Sequence, residues 1–139
     1  MAFETETIVR FAHVDAAGIV FYPRYFEMLN AAVEDWFAAM GLDFATMHVA
    51  RNMGVPTIKL DATFVAPSEL GDRLTVSITP KEIGRSSCSL AAVFAGEGRE
   101  RLRVDVVLVC MDLGARRSIA WPDELRVEMA RYGDPAQIS

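Results

Sequence analysis

The sequence predicts an α+β protein in which an antiparallel sheet packs against one long helix. Near the start of the chain, apolar residues recur at helical spacing through a single long segment. Later, polar and apolar residues alternate over four segments that are joined by short turns. Because no helices separate these last four strands, the pattern favours hairpins over the parallel sheet of an α/β protein.

The long helix is predicted from about Pro23 to Met40. A proline suits the first turn of a helix, where no backbone N–H is needed, and Gly41 suits the position just past the end. The apolar residues form one stripe around which we expect the sheet to wrap. The stripe consists of Phe26, Leu29, Val33, Phe37 and Met40, widened by Ala32 and Trp36.

Five strands are predicted from alternating or continuously apolar runs, and a short final helix opens at Pro122. The last strand is apolar on both faces in its second half, so we expect it to be central. A turn at residues 67–72 and a glycine-bearing hairpin loop at residues 95–100 separate strands. The strands fall at residues 3–11, 57–64, around 74–78, 86–94 and 102–111.

Length and composition restrict the class of protein. A chain of 139 residues suits one domain, predicted to span residues 1–139. The net charge of -5 argues against nucleic acid as a partner. No apolar run suits a membrane span and the first residues do not resemble a signal peptide, so we expect no membrane association. Cys88 and Cys110 are interpreted as buried apolar residues, and a cytoplasmic location is expected.

Asp15 is the leading candidate for chemistry. It lies in a turn, before Gly18 and the start of the long helix near Tyr22. Aspartate in a turn is often structural. Here, however, apolar neighbours such as Phe21 would exclude water from part of the carboxylate's surroundings, and the helix start offers free backbone N–H groups. A carboxylate beside an oriented N–H suits acyl transfer. The carboxylate attacks the carbonyl carbon or removes a proton from water, and the N–H polarises the carbonyl.

Other groups have competing interpretations. His13 would share a face with Asp15 in an extended segment and would shuttle a proton or orient the carboxylate; a histidine at a strand end explains it equally well. Arg85, Ser86 and Ser87 would hold phosphate groups, or would form a solvated strand edge. Asn30 lies off the centre of the helix stripe, where it would contact a ligand, another subunit or solvent.

Several chemistries lack support in the sequence. The two histidines, His13 and His48, show no metal-ligand spacing, so no metal site is predicted. Cys88 has no base near it in the sequence, and there is no GxSxG motif for a serine nucleophile. The chain also lacks the glycine-rich patterns of nucleotide-binding loops, which argues against nucleotide hydrolysis and dinucleotide redox chemistry.

The motif D-A-A-G-I-V-F-Y-P-x-Y, from Asp15 to Tyr25, precedes a long helix and four strands. In this order it resembles the hotdog-fold acyl-CoA thioesterases, and it is most similar to their 4-hydroxybenzoyl-CoA thioesterase branch. The resemblance runs from about Ile8 to the final helix. It implies a hotdog fold, with the antiparallel sheet wrapped around one long central helix. It also implies a homodimer that often pairs into a homotetramer, with active sites at the dimer interface.

The resemblance also implies roles for individual residues. Asp15 matches the catalytic carboxylate, which acts as nucleophile or general base, Tyr22 matches the residue whose N–H polarises the thioester carbonyl, and Gly18 lets the turn come close. The substrate would be an aromatic or short-chain acyl-CoA, with coenzyme A as part of the substrate and no other cofactor. Residues expected at the substrate are Phe21 and Asn30, Pro56 and Thr57 at the acyl group, and Arg85, Ser86 and Ser87 at the nucleotide.

Two departures from the family pattern leave alternatives open. His13 stands where many relatives carry an acidic or small residue, and Asn30 replaces an acidic helix residue of the hydroxybenzoyl enzymes, so another acyl group is as compatible as 4-hydroxybenzoyl. A non-catalytic acyl-CoA-binding module is one alternative function. A hotdog dehydratase or hydratase is a weaker one, because it would require a histidine where Tyr22, Pro23 and Arg24 stand.

Overall fold

A five-stranded antiparallel sheet curves around one long helix in the computed structural model, which describes residues 1–133. The strand order is β1-β4-β5-β6-β3, and a separate small sheet has the order β2-β7-β8. The elements are β1 (Phe3–Ile8), α1 (Tyr22–Ala39), β2 (Met53–Gly54), β3 (Thr57–Phe64), β4 (Arg73–Ile83), β5 (Ser87–Gly96), β6 (Arg99–Val109), β7 (Met111–Asp112), β8 (Arg117–Ser118) and α2 (Asp123–Arg131).

The long helix confirms the sequence prediction to within one residue at each end. Pro23 lies in its first turn, where the missing N–H costs nothing. The apolar stripe faces the sheet, and each large apolar side chain removed from water there contributes about 1.5–3 kcal/mol. The buried residues of α1 are Tyr25, Met28, Leu29, Ala32, Val33, Trp36 and Phe37.

The centre of the sheet follows the predicted alternation. Along β4 as far as Pro80, and along all of β5, every second residue is buried, because side chains of period two point alternately toward the helix and away from it. β6 lies between β5 and β3, which confirms that this strand is central. The hairpin between β5 and β6 is tighter than predicted. Its two central residues, Glu97 and Gly98, both have positive φ, as a two-residue hairpin turn requires.

The edge strand β3 does not show the burial that its alternation predicts. Ile58 is 63% exposed, Leu60 41% and Phe64 51%. The reason is position: within residues 1–133, β3 pairs only with β6, so its other edge and much of both faces meet solvent. A long edge strand with exposed apolar residues is a surface on which another strand can pair.

Three local features differ from the predictions. The first strand ends at Ile8 rather than residue 11, and a one-turn 3-10 helix follows at Phe11–His13. The stretch between α1 and β3, which has no clear pattern, contains one turn of π-helix at Thr46–Ala50. The small sheet was not predicted, because two-residue strands are too short to show periodicity.

The cysteines behave as the sequence predicts. Both side chains are buried and neither forms a disulfide. Burial raises the pKa of the Cys88 thiol to about 12 and that of Cys110 to about 11. Because the thiolate is the reactive form, both thiols are protonated and unreactive at neutral pH.

Candidate active site

Asp15 lies in a tight turn between the 3-10 helix and α1. Its N–H donates to the carbonyl of Ile19 at 3.1 Å, and its carbonyl accepts from the N–H of Gly18 at 2.9 Å. Gly18 has a φ of 80°, which favours glycine. The Asp15 Oδ1 accepts the N–H of Ala17 at 2.9 Å. The turn therefore orients an exposed carboxylate and, among the contacts of residues 1–133, leaves its second oxygen open.

The start of α1 supplies one free N–H group. Phe21 caps the helix and its N–H donates to the carbonyl of His13, while the N–H of Arg24 donates to the carbonyl of Phe21, both at 2.9 Å. Pro23 has no N–H. In the described chain the N–H of Tyr22 therefore has no acceptor, and it lies at the positive end of the helix dipole.

His13 stabilises the segment that leads into α1 through hydrogen bonds of its main chain and of its ring. Its Nδ1 accepts the N–H of Arg10 at 2.8 Å, and its carbonyl accepts the N–H of Phe21 at 2.9 Å. One ring nitrogen is therefore engaged in local structure. A catalytic role for His13 remains a prediction.

A cavity of about 250 Å³ lies between α1 and the sheet. Its wall is apolar and partly aromatic. Asn30 and Thr57, two of the residues expected at the substrate, line it with polar side chains, and their contact with substrate stays a prediction. Phe44 and Val55 also line it, and sequence reasoning missed them because they lie in the unpatterned stretch. The full lining is Phe26, Leu29, Asn30, Val33, Phe44, Val55, Thr57, Leu60, Val106 and Leu108.

A second groove, of about 270 Å³, runs beside Tyr22 and includes Phe64 of β3. The rings of Tyr22 and Phe64 lie 6.1 Å apart, and Phe64 is also 6.4 Å from Phe26, which lines the first cavity. The helix start and the first cavity are thus neighbours, and the ring of Phe64 on the exposed strand β3 lies between them. Asp15 lines neither space within one chain.

The turn between β4 and β5 carries Arg85, Ser86 and Ser87 and is separate from both spaces. The carbonyls of Arg85 and Ser87 accept the main-chain N–H and the indole Nε1 of Trp121, both at 2.9 Å. The guanidinium of Arg126 donates to the Gly84 carbonyl at 2.6 Å. Trp121 and Arg126 hold this turn, and the sequence offered no signal for either, because they come from the distant end of the chain.

Pro56 sits half-buried just before β3, and its carbonyl accepts the N–H of Val109 at 3.1 Å. This bond fixes the start of β3, where Thr57 enters the cavity. Among residues 1–133 no cluster of three or more potential metal ligands occurs, and no helix is long and apolar enough to cross a membrane.

Comparison with known proteins identifies the family. The model of the thioesterase-like superfamily matches residues 9–128. A 1,4-dihydroxy-2-naphthoyl-CoA hydrolase of Thermosynechococcus vestitus is 30% identical over 118 residues, which cover 84% of this chain and 81% of that protein. A similar hydrolase from Synechocystis is 26% identical over 96% of this chain and 98% of its own length.

Among solved structures, a mutant of 4-hydroxybenzoyl-CoA thioesterase in complex with 4-hydroxybenzoyl-CoA is 28% identical. It has a TM-score of 0.84, with 92% of this chain and 98% of that one covered. The chain belongs to the thioesterase-like superfamily, and its fold is the hotdog fold. The prediction of a hotdog thioesterase, made from the motif at Asp15, is confirmed.

Proposed function

We propose that the protein hydrolyses the thioester of a small hydroxylated aromatic acyl-CoA, giving the free acid and coenzyme A. The observation that carries the proposal is the pairing of an open carboxylate at Asp15 with the free N–H of Tyr22 at the start of α1. Relatives named for 1,4-dihydroxy-2-naphthoyl-CoA and 4-hydroxybenzoyl-CoA support an aromatic acyl group.

The chemistry follows from these two groups. The N–H of Tyr22 donates to the carbonyl oxygen of the thioester and stabilises the negative charge that develops there, assisted by the helix dipole. Asp15 either attacks the carbonyl carbon or removes a proton from an attacking water. The C–S bond then breaks and coenzyme A leaves; over the whole reaction, water supplies the hydroxyl group of the acid and the proton of the coenzyme A thiol. Where Asp15 is the nucleophile, the attack first forms an anhydride between the acyl group and Asp15, which water then hydrolyses to the acid and free Asp15.

The cavity between α1 and the sheet would receive the aromatic acyl group. Phe26 and Phe44 supply aromatic walls that suit a flat ring. The Asn30 amide both donates and accepts hydrogen bonds, and the Thr57 hydroxyl does the same, so a phenolic hydroxyl on the ring would find partners in either direction. Both side chains are exposed in the single chain; once a bound acyl group and a second copy of the chain cover them, they would discriminate against an acyl group that lacks the hydroxyl.

A second copy of the chain would complete the site. The exposed edge of β3, with Ile58, Leu60 and Phe64 open to solvent, would pair with the same edge of a partner. Asp15 of one protomer would then face the cavity of the other, which explains why Asp15 lines no cavity within one chain. The nucleotide end of coenzyme A would rest on Arg85, Ser86 and Ser87. Further pairing into a homotetramer follows the family resemblance.

The test is release of free thiol from 4-hydroxybenzoyl-CoA, 1,4-dihydroxy-2-naphthoyl-CoA, benzoyl-CoA, butyryl-CoA and palmitoyl-CoA by the wild type and by Asp15→Asn. Asparagine keeps the bond to the Ala17 N–H but loses basicity and nucleophilicity. We expect turnover on the hydroxylated aromatic esters and a loss of about 100-fold or more in the variant. The buried Cys88 and Cys110 thiols will not react with the thiol reagent, so the signal reports coenzyme A.

The matched control is Asp112→Asn. Asp112 also accepts a backbone N–H within a turn, from Ala115 at 2.7 Å, and it lies in the small sheet. Its substitution should leave turnover unchanged. Wild-type turnover that persists in Asp15→Asn would contradict the assigned mechanism. Binding of the esters with no product release would instead favour the acyl-CoA-binding module, and addition of water to an enoyl-CoA would favour a hydratase.

A further inference from the structure

Arg101 is a buried arginine that lies outside the turn of Asp15. It belongs to β6 and is only 6% exposed. Its Nη1 donates to Asp72 Oδ2 at 2.8 Å, to Ser68 Oγ at 3.2 Å and to the Pro67 carbonyl at 3.1 Å, and its Nη2 donates to the Gly96 carbonyl at 3.2 Å. A guanidinium is removed from water at high cost, so a buried one is retained where it makes several bonds.

These bonds fasten one segment, residues 65–72, to the sheet. The carbonyl of Arg101 accepts the N–H groups of Val65 and Ala66, at 2.9 and 3.1 Å. At the other end, Asp72 Oδ2 also accepts the N–H of Glu69 at 2.9 Å and so closes a turn. The 65–72 segment is therefore held at both ends by one residue of β6.

The 65–72 segment is in turn bonded to the turn of Asp15. The carbonyl of Ser68 accepts the N–H of Val20 at 2.9 Å. Beside this bond, Ile19 and Glu69 form an isolated antiparallel bridge. Ile19 is also the residue whose carbonyl accepts the N–H of Asp15. The position of the carboxylate thus depends on the 65–72 segment through two successive hydrogen-bonded contacts.

The same serine is bonded to the helix that carries the free N–H. The hydroxyl of Tyr25 donates to Ser68 Oγ at 2.9 Å, and both residues are buried, with exposed fractions of 3% and 0%. Tyr25 lies three residues after Tyr22, in the first turn of α1. Ser68 therefore contacts the Asp15 turn with its main chain and the helix start with its side chain, while Arg101 holds that side chain.

We propose that Arg101 and Ser68 are positioning residues for the hydrolysis, an inference that rests on the proposed function. They set the spacing between the carboxylate of Asp15 and the N–H of Tyr22, so that both reach one thioester carbonyl. Neither touches the reacting atoms. Loosening this spacing lowers the rate of the chemical step and leaves substrate binding intact, because a misplacement of about 1 Å costs on the order of 100-fold in rate.

The experiment compares kcat and KM of Ser68→Ala, Tyr25→Phe and Arg101→Lys with wild type on the best ester of the panel. Ser68→Ala and Tyr25→Phe each remove one hydroxyl from the hydrogen bonds that join Tyr25, Ser68 and Arg101. Arg101→Lys keeps the positive charge but loses the planar guanidinium and its several N–H donors. We expect kcat to fall about tenfold or more with KM within about twofold, since the groups act on geometry rather than on binding.

Arg103→Lys is the matched control. Arg103 lies two residues further along β6, its side chain is 59% exposed, and it bonds Glu100 at the surface. The same substitution there should leave kcat unchanged. Circular dichroism and thermal melting verify that each variant is folded at the assay temperature. If Arg101→Lys does not fold, the comparison rests on Ser68→Ala and Tyr25→Phe.

Folded Ser68→Ala and Tyr25→Phe with the wild-type kcat would overturn this inference. A rise in KM that accounts for the whole loss of kcat/KM would overturn it as well, because positioning acts on the chemical step. An active wild type, an inactive Asp15→Asn and a fully active Ser68→Ala would refute the positioning role alone. A wild type without turnover on any ester would overturn the proposed function and the positioning role together.

Discussion

Two turns of this protein each depend on an arginine from a distant element, one indirectly through the 65–72 segment and the other by direct hydrogen bonds. The turn that carries Asp15 depends on Arg101, which is 6% exposed and bonds two side chains as well as main-chain carbonyls. The turn that carries Arg85 depends on Arg126, which is exposed and whose guanidinium, within residues 1–133, donates hydrogen bonds to the carbonyls of Ile83 and Gly84 alone.

The difference matches what each turn would have to do. A carboxylate that must meet a carbonyl carbon tolerates little displacement, and a buried hydrogen-bond network resists displacement because local opening would leave its polar groups unpaired. A turn that contacts the flexible nucleotide end of coenzyme A tolerates more. Solvent-exposed bonds open at low cost and suit a surface that adjusts to a ligand.

The largest effect on stability is expected from Arg101→Met. Removing the guanidinium takes one donor each from the Asp72 carboxylate, the Ser68 hydroxyl and two main-chain carbonyls, and we expect a loss of about 3 kcal/mol in the free energy of unfolding. Urea denaturation followed by tryptophan fluorescence measures it. Arg103→Met on the exposed part of the same strand should cost less than about 1 kcal/mol. Equal losses at the two positions would remove the distinction between buried and exposed arginines.

A smaller, pH-dependent effect is expected from Asp72→Asn. The N–H of Glu69 and then the guanidinium of Arg101 lower the pKa of Asp72 below its ordinary 3.8. A carboxyl group with a lowered folded-state pKa stabilises the fold above its ordinary pKa, and that stabilisation is lost as the pH falls through the folded value. The difference between wild type and variant in urea midpoint should therefore be full at neutral pH and vanish in acid.

Glu100→Gln is the comparison for that experiment. The side-chain bond from Arg103 lowers the pKa of Glu100 in the same direction, but this pair lies at the surface. Salt should weaken the contribution of Glu100 more than that of Asp72, because exposed charges are screened more strongly. Identical salt dependence at the two sites would show that the Asp72 pair is effectively as exposed as the surface pair.

The smallest effect on stability is expected from Arg126→Gln, which removes an exposed guanidinium from two carbonyls. We expect a change within about 0.5 kcal/mol in the free energy of unfolding. In the thioesterase assay KM for the acyl-CoA should rise a few-fold while kcat stays constant, since the proposed contact of the Arg85 turn is with the nucleotide end of the substrate, far from the reacting carbonyl. A fall in kcat at constant KM would show instead that this turn affects the chemical step rather than substrate binding.

The local features of the fold followed from sequence patterns. The helix was predicted within one residue at each end, because its apolar spacing, first-turn proline and terminal glycine all indicate one structure. The stretch from residue 41 to residue 56 escaped prediction, because its π-helical turn and two-residue strand have no period to detect. The exposure of β3 did not follow from its alternation, because the alternation indicates a strand, whereas the position of that strand in the sheet decides which of its faces are covered.

The sequence by itself determined the class of protein and the residues proposed for its chemistry. Asp15, Gly18 and Tyr22 lie within eight residues, so one turn and the helix start that follows it carry both the carboxylate and the N–H. Only the tertiary structure decided how that pair is held. Tyr25, Ser68 and Arg101 come from three separate parts of the chain, and no local spacing predicts that the sheet will place them within hydrogen-bonding distance.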